Sequence, residues 1–286
     1  MSRASLTVAG VPEHFNLPWH VAAERGAFDD AGIDLRWLDE PAGTGAMTAA
    51  VESGEVDAAL VLTEGAMAAI GRGQPLRIAG WWVESPLDWG IHVGPHVEAT
   101  VPDGLTPHHR FAISRFGSGS HLMAHVLADE VGIELTESSF VVCGGLDGAI
   151  GALTAGDAEV FLWERATTAP LVRDGTFGRI GVQATPWPCF VAICRADAPA
   201  ETVAALRTAL RLAALEAARL FATADLAATV VARYDLHPDD VAAWLETLRW
   251  SLDPTEVDLD RIERIRRRAV AYELVPTDLP ASAFLR

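Results

Sequence analysis

The chain contains no lysine; all 22 of its basic residues are arginine. A pyridoxal Schiff base, a lysine nucleophile and the lysine of a Walker A loop are therefore excluded. Asparagine occurs once, as Asn16. The three cysteines, Cys143, Cys189 and Cys194, form no CxxC pair and read as buried reduced thiols. No run reaches the ~18 apolar residues that a membrane span needs. The opening MSRASLTVAG passes straight into a strand-like stretch, with neither a long apolar segment nor a small-residue cleavage site. A cytoplasmic protein is therefore expected, or a periplasmic or cell-surface one if a leader has been trimmed. Positive charge is also scarce. Against 39 acidic residues the arginines leave a net charge of −17, which opposes binding to nucleic-acid phosphates or to an anionic membrane surface.

What remains is ample for a folded core. Half of the 286 residues are hydrophobic, enough for one large domain or two lobes. The first third alternates short apolar runs with amphipathic ones. Strands are predicted at 6–9, 33–38, 58–62 and 76–83, and helices at 17–30, 45–53 and 64–71, the rhythm of a parallel βαβ sheet. The pattern then recurs. AGIDLRW from Ala31 is answered by VGIELTE from Val131, and GTGAMTAAVESGEVDAAL from Gly43 by GGLDGAIGALTAGDAEVFL from Gly144. Gly43 pairs with Gly145, Gly54 with Gly156 and Asp57 with Glu159. Further strands are read at 88–93 and 188–195, and four helices follow Pro199. The arginine cluster of the last, at 261–268, reads as a solvated face.

Two α/β lobes place their helix N-termini beyond the carboxyl ends of the strands, where open sheets bind ligands. The turn Gly117-Ser118-Gly119-Ser120 offers close backbone approach and hydroxyls, as does Gly43-Thr44-Gly45; helix capping is the alternative role for the serines. Phe15 and Asn16 stand just before the first helix. Glu64 and Glu164 end equivalent strands and suit an acid–base pair or a cationic ligand group; capping or pairing to an arginine is the competing use. Trp81, Trp82, Trp89, Trp163 and Trp187 lie near strand ends or turns, where an aromatic wall would suit a ring ligand. His121 and His125 have the i,i+4 spacing of a zinc pair, but the HExxH glutamate is missing, and no metal is expected.

The runs FNLPWHVAAERGAFDDAGIDLRW, GTGAMTAAVESGEVDAAL, TEGAMAAI and SRFGSGSHLMAHVLADE resemble the type II periplasmic binding protein superfamily. The likeness is nearest to the nitrate, sulfonate and taurine solute-binding proteins of ABC transporters and to thiamine-pyrimidine-synthase-like proteins, in a branch without a signal peptide. It implies two lobes of mixed sheet flanked by helices, residues 1–92 plus 195–286 and residues 93–194, joined by a two-strand hinge that closes on a small molecule. Ligand contacts would then fall on Asn16, Thr44, Glu64, Ser118, Ser120, Trp163 and Glu164, with Phe15, Trp82 and Gly119 added from their positions in the chain. The missing lysine excludes the pyridoxal-dependent chemistry of the pyrimidine synthases, and their cysteine-rich motif is absent. The function expected is non-enzymatic binding of a small organic solute, for an ABC-type permease and without a cofactor. The alternative is a cofactor-independent dehydratase- or decarboxylase-like lyase on the same fold.

Overall fold

A computed structural model describes residues 3–286. The chain divides into two compact units: unit 1 runs up to Ser85 and resumes at Trp187, and unit 2 is the insertion Pro86–Pro186.

Unit 1 is built on β1 (Ala4–Gly10), β2 (Ile33–Asp39), β3 (Ala58–Leu62), β4 (Leu76–Val83) and β10 (Phe190–Arg195), in the order β2-β1-β3-β10-β4. β1 is parallel to β2 and to β3, whereas β10 runs antiparallel to β3 and β4. The first four residues of β3, Ala-Ala-Leu-Val, are buried, as expected for a strand with covered faces. The flanking helices are α1 (Leu17–Glu24), α2 (Ala27–Asp30), α3 (Thr44–Ser53) and α4 (Thr63–Gly71). The single helix expected over 17–30 is broken at Gly26, whose φ of 72° is open to glycine and ends α1 before α2 begins.

Unit 2 repeats the plan. Its strands are β5 (Asp88–Val93), β6 (Phe111–Ile113), β7 (Phe140–Val142), β8 (Val160–Glu164) and β9 (Gly178–Ala184), ordered β7-β6-β8-β5-β9 with β5 antiparallel to its neighbours. Its helices are α5 (Gly119–Val131), α6 (Leu146–Ala155) and α7 (Arg165–Arg173). The core between sheet and helices gathers Ala112, Ala149, Leu153, Phe161 and Phe177. Both crossing strands pair in the sheet they enter: β5 belongs to unit 2 and β10 to unit 1. The unit boundaries thus fall at Ser85/Pro86 and Pro186/Trp187, earlier than the 92/93 and 194/195 implied by the resemblance. Apolar runs mark a strand without saying which sheet will pair with it.

The repeat has a structural basis at each paired residue. Gly43 and Gly145 precede the first turns of α3 and α6; Gly54 and Gly156 end them with φ of 79° and 76°. Asp57 Oδ2 accepts the amide of Thr7 on β1 at 2.8 Å, and Glu159 Oε2 accepts the amide of Arg110, just before β6, at 2.6 Å.

After β10 the chain returns four helices to unit 1: α8 (Ala200–Phe221), α9 (Leu226–Tyr234), α10 (Pro238–Thr247) and α11 (Leu259–Ala271). On α11, Glu263 engages Arg266 and Arg267, and Arg261 lies 4.2 Å over the Trp81 ring. No described helix is long and apolar enough to cross a membrane. The three cysteines are unbridged; Cys189 and Cys194 are buried and Cys143 half-buried.

Candidate ligand-binding site

At the carboxyl ends of β1 and β3, unit 1 collects the starts of α1, α3 and α4. None of these three helices has a side-chain cap from its N-cap residue. The Leu17 amide donates to His14 O and the Thr63 amide to Cys189 O, so it is the start of α3, after Gly43, whose dipole end suits an anionic or carbonyl-bearing group. Thr44 opens α3, and its Oγ1 accepts the Leu62 amide at 3.2 Å. A side chain at Gly65 would overlap the Thr44 methyl group, so glycine is what lets α3 and α4 start side by side.

Glu64, in the first turn of α4, is 4% exposed. Trp187 Nε1 donates to its Oε2 at 2.8 Å, while Oε1 has no hydrogen-bond partner. Burial pushes the carboxyl pKa up to about 7, against the opposing pull of its own backbone amide and the Trp187 indole. The sequence marks Trp187 only as one of several tryptophans. Its distinguishing sign was local: Pro186 and Pro188 brace it on both sides, where the chain re-enters unit 1.

Asn16, Phe15 and Trp82 prove to be interlocked with one another. Asn16 Nδ2 donates to Val11 O at 2.8 Å, and its Oδ1 accepts Trp82 Nε1 at 3.1 Å. The Phe15 carbonyl accepts both Trp82 Nε1 (3.2 Å) and Trp250 Nε1 (2.8 Å). The Phe15 ring lies among His14, Phe190 and Trp244, and Trp82 is fully buried. Their evident work is to fix the turn that starts α1.

In unit 2 the serine–glycine turn closes on itself. Gly117 takes a φ of 74°. Ser118 Oγ caps α5 by accepting the His121 amide at 3.3 Å and lies 3.1 Å from Ser120 Oγ, which accepts the Ser114 amide at 3.0 Å. Both hydroxyls are buried. A Cβ on Gly119 would come within 2.7 Å of the Trp89 ring, so this glycine lets α5 start flat against an indole. Trp163 stacks on Phe161 (5.3 Å, 24°) and meets Trp89 edge-on (6.5 Å).

Glu164 differs from Glu64 in position. It is the N-cap of α7, with Oε1 accepting Ala166 N at 2.9 Å and Oε2 accepting Thr167 N and Oγ1, each at 2.7 Å. Glu64 lies two residues further along its helix than an N-cap, whose place in α4 is taken by Leu62. The two carboxylates that looked equivalent by strand end are therefore not equivalent by helix position, and only Glu64 keeps a free oxygen.

His121 Nδ1 accepts the Gly117 amide at 3.1 Å, and His121 Nε2 lies 3.3 Å from His125 Nε2. In a neutral ring this puts the His121 proton on Nε2, the nitrogen a metal would need. Burial, then the neighbouring His125, holds His121 down to about 4.

A family model described as Ca3427-like PBP matches residues 89–182, which include the serine–glycine turn, Trp163 and Glu164. Among solved structures, the CA3427 gene product of Candida albicans, described as having the generic periplasmic binding protein fold, is 22% identical. It aligns over 99% of this chain and 96% of its own with a TM-score of 0.85. The fold is that of the type II periplasmic binding proteins. The alkanesulfonate-binding protein SsuA of Xanthomonas axonopodis pv. citri, solved bound to MOPS, shares it at 18% identity (TM-score 0.73, covering 100% and 99%). So does the nitrate-binding protein NrtA of Synechocystis PCC 6803, at 14% identity (TM-score 0.73, covering 98% and 84%). No curated protein sequence matches the chain. Of the expected site residues, Ser118, Gly119, Ser120, Trp163 and Glu164 fall within the matched segment. Phe15, Asn16, Thr44, Glu64 and Trp82 lie outside it, in the unit 1 part of the periplasmic-binding-protein fold.

Proposed function

We propose that this chain binds a small organic solute without transforming it, serving an uptake system in which an ABC-type permease is its partner. Several features support the reading: the fold shared with solute-binding proteins, the uncapped start of α3 in unit 1, and the indoles of Trp89 and Trp163 beside the start of α5 in unit 2. The observation that carries it is Glu64, a buried carboxyl group at a strand end with one oxygen left unpartnered. A fold does not need such a group for stability, because leaving a buried acceptor unmet costs about 1–3 kcal/mol.

A second reading, a lyase on the same fold, draws on the same residue. A carboxyl pKa near 7 is what a general acid–base would have. One experiment separates the two. The protein is screened by thermal shift against sulfonates, carboxylates, pyrimidines and flat heterocycles, and each hit is incubated with it and followed by NMR. A stabilising compound recovered unchanged supports binding; conversion of a hit turns the assignment to the lyase.

A further inference from the structure

The polar geometry around Glu64 bears on which chemical class of solute unit 1 can take. Its carboxyl group is buried on α4, and Trp187 fixes Oε2 with a hydrogen bond at 2.8 Å. That leaves Oε1 as a buried acceptor with nothing donating to it. Among the described residues no ion pair holds Glu64, and the chain has no lysine that could reach it. On α11, the basic helix packed on α4, Arg261 lies over Trp81 and pairs with Glu84, Arg266 and Arg267 pair with Glu263, and Arg264 and Arg268 are exposed. Among the described residues, then, no cation pairs with this carboxyl group.

Resting on the solute-binding reading, we propose that the solute presents a nitrogen-borne hydrogen-bond donor, an ammonium, amidinium or amino-heterocycle group, to Glu64 Oε1. The site then selects nitrogen bases and zwitterions over simple anions. A donor must meet Oε1 for its desolvation to be offset. A nitrogen cation does more than a hydroxyl there, because it supplies the hydrogen bond and balances the charge that burial disfavours. A nitrate or an alkanesulfonate offers Glu64 only acceptor oxygens and negative charge, so it would meet repulsion from an ionised Glu64. The uncapped start of α3 remains suited to an acidic or carbonyl end of the same molecule. This separates the chain chemically from the nitrate- and sulfonate-binding proteins that share its fold.

The test uses matched probes and isothermal titration calorimetry on the full chain: benzamidine against benzoate, and taurine against ethanesulfonate, each up to millimolar concentration. The nitrogen-bearing member of at least one pair should bind ten-fold or more tightly than its partner, and more tightly at pH 8 than at pH 6 for benzamidine. Glu64→Gln should erase that preference to within about three-fold while leaving the circular dichroism spectrum intact. Trp187→Phe, which keeps the carboxyl group, should retain the preference and so guards against a variant that merely misfolds. Tighter binding of benzoate or ethanesulfonate, or a preference that survives Glu64→Gln, overturns the inference while the solute-binding reading stands. No binding by any of the four probes overturns the inference, while the solute-binding reading is decided separately by the wider thermal-shift screen.

Discussion

Thr7 and Asp57 exchange two hydrogen bonds: the Thr7 amide donates to Asp57 Oδ2 at 2.8 Å, and the Asp57 amide donates to the Thr7 carbonyl at 3.0 Å. The turn that follows α3 is thereby clamped to β1 at the place where β3 begins. In unit 2 the same clamp joins Glu159 to Arg110, with the side-chain bond at 2.6 Å and the backbone bond at 2.9 Å. Because the carboxylate accepts from a backbone amide that β pairing does not use, its loss leaves a partly buried donor unmet. Asp57→Ala should cost about 2 kcal/mol of stability, read as a lower urea midpoint with an unchanged slope. A fall of less than ~0.5 kcal/mol would show that water replaces the carboxylate without loss.

Much of this was written in the chain. The repeated Gly…Gly…acid pattern located two structurally equivalent α/β halves because each element of it has a backbone job: a helix start, a left-handed helix end and an amide acceptor. The carboxylates at the two strand ends were harder to tell apart. Glu164 is the last residue of β8 and Glu64 comes two residues after β3, and that shift makes one an N-cap and the other a first-turn residue. Helix registry to that accuracy is set by which amides the preceding strand leaves unpaired, and a single sequence does not show it. Phe15, Asn16 and Trp82 were equally opaque. Polar and aromatic residues at a strand–helix turn suit a ligand or a core, and the partner that decides it, Trp250, is 235 residues from Phe15, whose carbonyl it binds.

The raised Glu64 pKa has a stability consequence of definite sign. The folded state holds this proton more tightly than the unfolded chain, whose ordinary value is 4.5, against about 7 when folded. Its contribution is complete below pH 4.5 and is lost as pH rises through 7. Glu64→Gln, which cannot ionise, should therefore be more stable than the parent at pH 8, by up to about 3 kcal/mol, and nearly equal to it at pH 4.5. Melting curves of both proteins at the two pH values decide it; a difference that does not grow with pH would show that Glu64 ionises freely in the folded protein.

His92 acts in the opposite direction. It is fully buried in the unit 2 sheet between Phe161 and Phe177, its Nδ1 3.2 Å from the Phe161 carbonyl, and burial lowers its pKa from 6.5 to about 4. Unfolding lets it take up a proton, so its contribution is present above pH 6.5 and is lost as pH falls toward 4, by at most ~1.4 kcal/mol per pH unit. His92→Phe should flatten the decline in melting temperature between pH 6.5 and 4 relative to the parent, although packing a larger ring will lower the plateau. An unaltered slope would assign acid sensitivity to the other depressed histidines instead, His14 of unit 1, held down to about 3, and His121 of unit 2, held down to about 4.

The serine–glycine turn makes separable demands on glycine and serine. At Gly119 an added methyl group would lie 2.7 Å from Cη2 of Trp89, a rigid ring that is itself buried and edge-on to Trp163. Gly119→Ala therefore has to push the indole or tilt the start of α5, and overpacking of this kind costs about 1–3 kcal/mol. Ser120→Ala removes no volume constraint but strips the Ser114 amide of its acceptor and Ser118 of its neighbouring hydroxyl, for a cost of about 1–2 kcal/mol. Trp89 fluorescence distinguishes the two, in variants whose other tryptophans are unchanged. Gly119→Ala should shift the emission because it moves the ring, whereas Ser120→Ala should lower stability with the spectrum unaltered. If Gly119→Ala leaves both spectrum and stability at parental values, then the start of α5 accommodates the methyl group without moving the indole, and close packing on Trp89 is not what requires glycine there.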